Sequence, residues 1–399
     1  MKPIIRFRQY NKEWCPFKLN TILVPSNEKN TKGLYSKNDV LSVSGEAGIV
    51  NQIAFQGRSF AGASVLNYGV VNTNDIVYTK SPLRNNPYGI IKTNNGPSGI
   101  VSTLYAIYNC CEESCPQFVD TYFTSSSRTN NYLRPLVRKG AKNDMKVSSE
   151  GALQGNVIFP YKDEQIEIAS YFRILDAKLQ ASAKKLESLK KLKSASLVAM
   201  FPQNGESMPK VRFKGFEGEW STNNLGSIFA ERIESNENGE MLSVTMNNGI
   251  IKSSDNGRFD NSNSDKSKYK VVKIGDIAYN SMRMWQGASG VSQYEGIVSP
   301  AYTVVTPSVD VDTDFFGYLF KTDDVIRLFK LNSQGLTSDN WNLKYPAFSR
   351  ICVSYPESKE EQQAIAAYFR SLDRKIALET ARLEKLKQIK LACLDKMFV

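Results

Sequence analysis

There is no histidine among the 399 residues of this chain. That excludes, within the chain, a Ser-His-Asp triad, imidazole acid–base chemistry and any zinc site built on histidine. Cysteine is sparse and scattered, at Cys15, Cys110, Cys111, Cys115, Cys352 and Cys393. Three clustered thiols with no fourth ligand nearby make a poor zinc site, so no metal is expected, and scattered thiols suit a reducing compartment. No apolar run approaches the roughly eighteen residues of a membrane span, and MKPIIRFRQYNKEW lacks the apolar core of a signal peptide. The expectation is a soluble protein of the cytoplasm. No G-x-x-x-x-G-K-[ST] occurs, so no P-loop is expected to hold ATP.

What is present is a repeat. IASYFRILDAKLQASAKKLESLKKLKSASLVAMF (Ile168 to Phe201) returns as IAAYFRSLDRKIALETARLEKLKQIKLACLDKMF (Ile365 to Phe398), 197 residues on and identical at 17 of 34 positions. Such self-similarity is the first thing to read in a sequence. In the first copy Ile168, Phe172, Leu175, Leu179, Leu186, Leu189, Leu192 and Met200 recur at helical spacing; Ile365, Phe369, Leu372, Ile376, Leu383, Leu386, Ile389 and Met397 follow in register. One narrow apolar stripe on a long helix free of Gly and Pro needs a partner, and the other copy is the nearest candidate. An intramolecular antiparallel coiled coil is expected, with Leu175, Leu179, Leu186, Leu189, Leu372, Ile376, Leu383 and Leu386 at its seam.

The repeat is wider than the helices. PIIRFRQYNKEW (Pro3 to Trp14) matches PKVRFKGFEGEW (Pro209 to Trp220), NDIVYTK (Asn74 to Lys80) matches GDIAYNS (Gly275 to Ser281), and GIVSTLY (Gly99 to Tyr105) matches GIVSPAY (Gly296 to Tyr302). PYKDEQ and PESKEEQ lead into the two helices. Short apolar runs bounded by turn residues read as strands, so each globule is expected to be a mixed α/β domain within an α+β, pseudo-two-fold chain. The expected boundaries are a first globule at 1–155, a first helical region at 156–201, a linker at 202–208, a second globule at 209–350 and a second helical region at 351–399.

A net charge of +11 points to an anionic partner. It is uneven: residues 1–155 hold 18 Lys and Arg against 10 Asp and Glu, residues 209–355 hold 16 against 17. Between the matched anchors the globules diverge, and loops on a rigid scaffold are where recognition usually sits. In the first, Arg128, Asn131, Tyr132, Arg134, Arg138, Lys139, Lys142 and Lys146 fall within nineteen residues that hold one acid, Asp144. Arg84, Asn85 and Asn86 form a second candidate group, since Arg can pair with guanine and Asn with adenine. In the second globule, Arg283, Trp285 and Gln286 stand where the first has its Arg84 loop. Lys266, Lys268 and Lys270 alternate as phosphate candidates, and Asn340 and Trp341 precede the last strand. A solvated basic loop, or core burial of Met282, Met284 and Trp285, accounts for the same residues without a ligand.

PYKDEQIEIASYF and PESKEEQQAIAAYF, each opening a long helix after a globule containing GIVSxxY, resemble the DNA-specificity subunit of Type I restriction–modification systems. The resemblance covers nearly the whole chain; GIVSTLY departs from it in lacking the proline of GIVSPAY. It implies two target-recognition domains, each reading one half of an asymmetric bipartite DNA sequence, with the paired helices setting the gap between half-sites about one helical turn, ~34 Å, apart. It further implies two adenine-methylating subunits docked on the helices and two motor–nuclease subunits. S-adenosylmethionine, ATP and Mg would sit on those partners, with no cofactor and no catalysis in this chain. NNPYG (Asn85 to Gly89) lacks one proline of the Asn-Pro-Pro-Tyr loop of amino-methyltransferases, and no Gly-rich cofactor loop accompanies it. A self-contained enzyme and a coiled-coil adaptor that never touches DNA are the rival readings.

Overall fold

The computed structural model describes residues 1–139, 145–203, 205–246, 248–256, 265–337 and 340–399. The chain divides into two compact units, residues 1–183 with 381–399, and residues 184–380. The sequence places boundaries at the ends of the two helical regions; the structure instead divides each long helix between the units. The helices run Lys162–Met200 and Lys359–Lys396. The reason lies in their ends, whose large apolar side chains belong to the globules' cores: Phe172 and Phe398 to the first, Phe201 and Phe369 to the second.

In the first unit an antiparallel four-stranded sheet runs in the order Leu23–Pro25, Tyr105–Cys110, Ile76–Thr79, Ile91–Thr93. In the second the order is Phe229–Glu231, Tyr302–Pro307, Ile277–Asn280, Ser289–Val291. The registers agree: Val77 faces Ile107 as Ala278 faces Val304. Smaller ladders also correspond, Cys15–Lys18 with Asn156–Phe159 and Ser221–Asn224 with Cys352–Tyr355. The strands expected at Asp75 to Tyr78 and Asp276 to Tyr279 are each one of the two interior strands of their sheets. Ile76, Val77 and Tyr78 are all buried, as are Ile277, Ala278 and Tyr279. A strand covered on both faces reads as a continuous apolar run, which is why no alternation marks it.

The matched motifs each have a mechanical reason. Asn74 (φ 73°) and Gly275 (φ 87°) turn the chain through the left-handed region just before the interior strand, a conformation open to Gly and tolerated by Asn. The aspartate that follows closes the turn: Asp75 accepts from the Asn72 amide at 2.7 Å and Asp276 from the Lys273 amide at 2.8 Å. In GIVS the glycine is a matter of space. A Cβ on Gly99 would lie 2.5 Å from the Asp39 carbonyl oxygen, and one on Gly296 2.3 Å from that of Glu240. The missing proline of GIVSTLY changes nothing: Tyr105 N–H donates to Ser102 O at 3.1 Å, as Tyr302 N–H does to Ser299 O at 2.9 Å.

The Glu-Gln pair opening each helix ties it to its globule. Glu164 takes a bidentate pair from Arg6, and Glu361 one from Arg212, every contact at 2.7 Å. Gln165 Nε2 donates to Pro160 O at 2.9 Å while its Oε1 accepts from Cys115 N–H at 3.0 Å. Gln362 repeats this with Pro356 O and the Asp312 N–H, both at 2.8 Å.

Within each unit the two helix segments run antiparallel. In the first unit Tyr171 meets Cys393 at 3.4 Å, and Asp176, further on, pairs with Lys390, further back. In the second, Ser196 and Tyr368 hydroxyls meet at 2.9 Å and Lys193 pairs with Asp373 at 2.5 Å. Each contact recurs 197 residues away with the roles of the helices exchanged. Leu175 and Leu372 are buried, whereas Leu179, Leu186, Leu189, Ile376, Leu383 and Leu386 are half-buried. The stripe departs from expectation at Leu192 and Ile389, which are exposed at 47% and 37%. Ser182, Ser196 and Glu379 are buried instead, Glu379 taking a salt bridge from Lys185 at 3.0 Å. Polar pairing thus replaces leucine packing at part of the seam, as when a buried polar group fixes register.

Candidate nucleic-acid interface

The divergent loops issue from equivalent places, the end of the interior strand in each sheet. In the first unit Lys80 leaves the strand and its N–H donates to Leu104 O at 3.3 Å. Burial lowers the pKa of this lysine. The turn that follows is closed by reciprocal backbone bonds between Leu83 and Asn86, each 3.1 Å. It is fastened to the helix Ser126–Leu133, where Asn130 Nδ2 donates to Asn85 O at 3.0 Å and Ser126 Oγ donates to Asn86 Oδ1 at 3.0 Å. Arg84 and the Asn85 side chain are exposed. Asn86 is buried with its side-chain oxygen taken by Ser126 of that helix, which corrects the expectation that it reads a base.

The basic segment of the first unit divides in the same way. Arg128, expected on phosphate, points inward: its guanidinium donates to Tyr122 O and Leu394 O, both at 2.7 Å, and lies over the rings of Tyr122 and Phe398 at 4.9 and 4.5 Å. Burial lowers its pKa. Tyr132 is corrected likewise; it is a core residue whose hydroxyl donates to Ala152 O at 2.9 Å. Asn131, Arg134, Arg138 and Lys146 remain exposed, the last two facing each other across the strands Arg138–Lys139 and Met145–Lys146. The side chain of Lys139 and the whole of Lys142 lie outside the described residues.

In the second unit the loop forms a 3-10 turn, Met284–Gln286, closed by Gly287 in the left-handed conformation (φ 78°). Burial of Met284 anchors it in the core, which settles the core reading for that residue. Trp285 is half-buried, donating from Nε1 to Met282 O at 3.0 Å, with its ring edge-on to Trp341 at 5.2 Å between centroids. Lys330, on the helix Asp323–Asn332, sits over the Trp341 ring at 5.5 Å. Arg283 and Gln286 are exposed, 3.5 Å apart. With Asn280, Met282, Trp285 and Tyr302 they line a concavity of about 440 Å³. Aromatic edges, a guanidinium and carboxamides around such a hollow can meet base edges and phosphate together. Asn340 is exposed beside Trp341.

Of the lysine run, Lys268 is exposed and Lys266 half-exposed, but Lys270 pairs with Glu231 at 3.1 Å and is no free cation. Sequence reasoning missed Lys80 and Lys330. Lys80 lies inside a matched motif opposite Ser281, so its departure from the repeat was the available signal. Lys330 had none, being a helix residue brought to Trp341 by the fold. Among the described residues no group of three His, Cys, Asp or Glu is placed to hold a metal, and all six cysteines are free thiols. Among the same residues no helix is long and apolar enough to cross a membrane.

Residues 218–388, which include this hollow and most of the second long helix, match the Type I restriction modification DNA specificity domain. This segment belongs to that domain family. A solved structure similar to this chain is the S subunit of a Type-I restriction-modification system from M. genitalium, at 15% identity and TM-score 0.58, covering 100% of this chain and 99% of that one. The HsdS subunit from Thermoanaerobacter tengcongensis aligns over 97% of both chains at 16% identity and TM-score 0.44. A search of curated protein sequences finds no match. The resemblance to a Type I specificity subunit read in the sequence is thereby borne out, and the first unit repeats the sheet order of the second.

Proposed function

We propose that this chain is the non-catalytic reader of a Type I restriction–modification complex, each globule taking one half of an asymmetric bipartite DNA target. The observation that carries this is the contrast at equivalent sheet ends. One framework presents Arg84 and Asn85 in the first unit, and Arg283, Trp285 and Gln286 in the second. Like scaffolds with unlike loops suit two different half-sites. Exposed Arg134, Arg138 and Lys146 would add phosphate contacts to the first half, and Lys266 and Lys268 to the second. The paired helices would set the gap and dock two methyltransferase subunits, with two motor–nuclease subunits completing the assembly. S-adenosylmethionine, ATP and Mg belong to those partners in this reading, and the complex acts on DNA in the cytoplasm.

Mapping methylated adenines in DNA from cells carrying the full complex tests the reading, which requires two unlike half-sites with a constant gap. Arg283→Ala should lower discrimination at one half-site by about 1–3 kcal/mol, the worth of one bidentate base contact. Equal loss at both halves, or none, would remove Arg283 from the interface. Binding to random-sequence duplex should weaken steeply as salt rises; a chain that serves only as an adaptor binds no duplex at either salt.

A further inference from the structure

We propose that Lys321 is the positioning residue of the second recognition domain, its ammonium clasping the turn that carries Arg283, Trp285 and Gln286 so that one DNA half-site is read. The proposal rests on the reading of that turn as a DNA contact.

The clasp is drawn by three carbonyls from two segments. Lys321 follows the helix Thr313–Leu319, and its Nζ donates to Ser289 O at 2.8 Å, to Gly287 O, and to Met246 O at 3.4 Å. Gly287 ends the reading turn and Ser289 begins the strand that leaves it. Met246 lies at the end of the hairpin built from Leu242–Thr245 and Gly249–Lys252. Lys321 therefore joins turn, strand and hairpin at one atom. Among the described residues no carboxylate forms an ion pair with it. The charged group that acts on it is Lys193 of the first long helix, itself paired with Asp373 of the second. The hairpin and the reading turn meet it with carbonyls.

Burial, with Lys193 adding repulsion, pushes the pKa of Lys321 down to about 8. The ammonium has three N–H groups for three carbonyls; the neutral amine has two and no charge. The clasp should therefore slacken as pH rises through that value. Global stability moves the other way. A lysine whose folded pKa lies below its unfolded one makes the fold more stable with rising pH between the two, because the unfolded chain holds the proton longer. Release of the turn is thus separable from unfolding. The first unit supplies an internal control. Thr124 stands at the repeat position of Lys321 and takes its lysine from elsewhere, Lys92, which meets Thr124 Oγ1 at 3.3 Å and Asp120 at 3.4 Å.

The test uses the full chain and a randomised duplex pool, selected at about one pH unit either side of the Lys321 value. In the wild type one half of the enriched consensus should blur at the higher pH and the other stay sharp. Lys321→Met should lose that half at both, and Lys321→Arg keep it at both. A consensus indifferent to pH, or both halves sharp in Lys321→Met, overturns the proposal. Acrylamide quenching needs no DNA. Trp14 and Trp220 are buried at 2% and 4%, so quenching reports on Trp285 and Trp341. It should rise with pH in the wild type and be high throughout in Lys321→Met; unchanged quenching overturns the clasp. Failure of any sequence to enrich, with quenching as expected, overturns the DNA reading and leaves the clasp standing.

Discussion

Replacing Phe398 with alanine should destabilise the first unit by about 3–5 kcal/mol, the range for truncating a buried phenylalanine. For a unit of this size that is a fall of roughly 10 °C in melting temperature. Phe398 is 5% exposed and sits among Trp14, Phe118, Tyr122 and Phe172, with ring centroids 5.6 to 6.4 Å away. The Arg128 guanidinium covers it at 4.5 Å. Losing the ring removes packing from four aromatic side chains and one face of a half-desolvated cation. Differential scanning calorimetry of the full chain checks this. The transition of the first unit should fall while that of the second, whose own copy Phe201 is untouched, stays in place. Unshifted melting would mean that the C-terminal end of the second long helix is no part of the first core.

That core shows how far the sequence could be read. The long helices and the globule–helix–globule–helix order were legible because a repeat of 17 identities in 34 positions fixes both period and register. The interior strands were legible from NDIVY and GDIAY, since a turn residue tolerant of positive φ followed by a buried apolar run leaves few alternatives. The inward turn of Arg128 was not. It depends on Leu394, 266 residues away, and on Phe398, so no local pattern distinguishes it from the exposed Arg134. Tyr132 misled for the same reason. Exposure of Leu192 and Ile389 was hidden because helical spacing says which residues share a stripe, not how wide the partner's contact is.

The candidate site was found where the two halves disagree. Divergence between copies of one framework pointed to Arg84 and to Arg283 with Trp285, and the fold puts each loop at the end of the corresponding strand of its own sheet. What supports those loops was invisible. Lys330 reaches Trp341 from another helix, and Lys321 occupies a repeat position where the first unit has Thr124. A supporting residue need match neither its repeat partner nor its neighbours, only the carbonyls that the fold brings to it.

Glu361→Ala should cost the second unit about 3 kcal/mol, the low end for breaking a buried pair, because it strands a half-buried cation. The Glu361 side chain is 1% exposed and that of Arg212 16%, and the pair is bidentate at 2.7 Å on both arms. Donation to Glu361 is the leading cause that raises the Arg212 pKa; without the carboxylate the guanidinium still keeps its charge, because arginine is intrinsically too basic to lose its proton. It keeps a hydrogen bond to the Gly218 carbonyl at 2.5 Å and the through-space attraction of Glu217. The cost therefore belongs to the orphaned charge rather than to the lost pair. The double variant Arg212→Met with Glu361→Leu should accordingly be more stable than Glu361→Ala alone, as when a buried ion pair is exchanged for apolar side chains. Thermal unfolding of the single and double variants decides it. A double variant less stable than the single one would show that the ion pair itself, and not the avoidance of a stranded arginine, holds the helix opening to its globule.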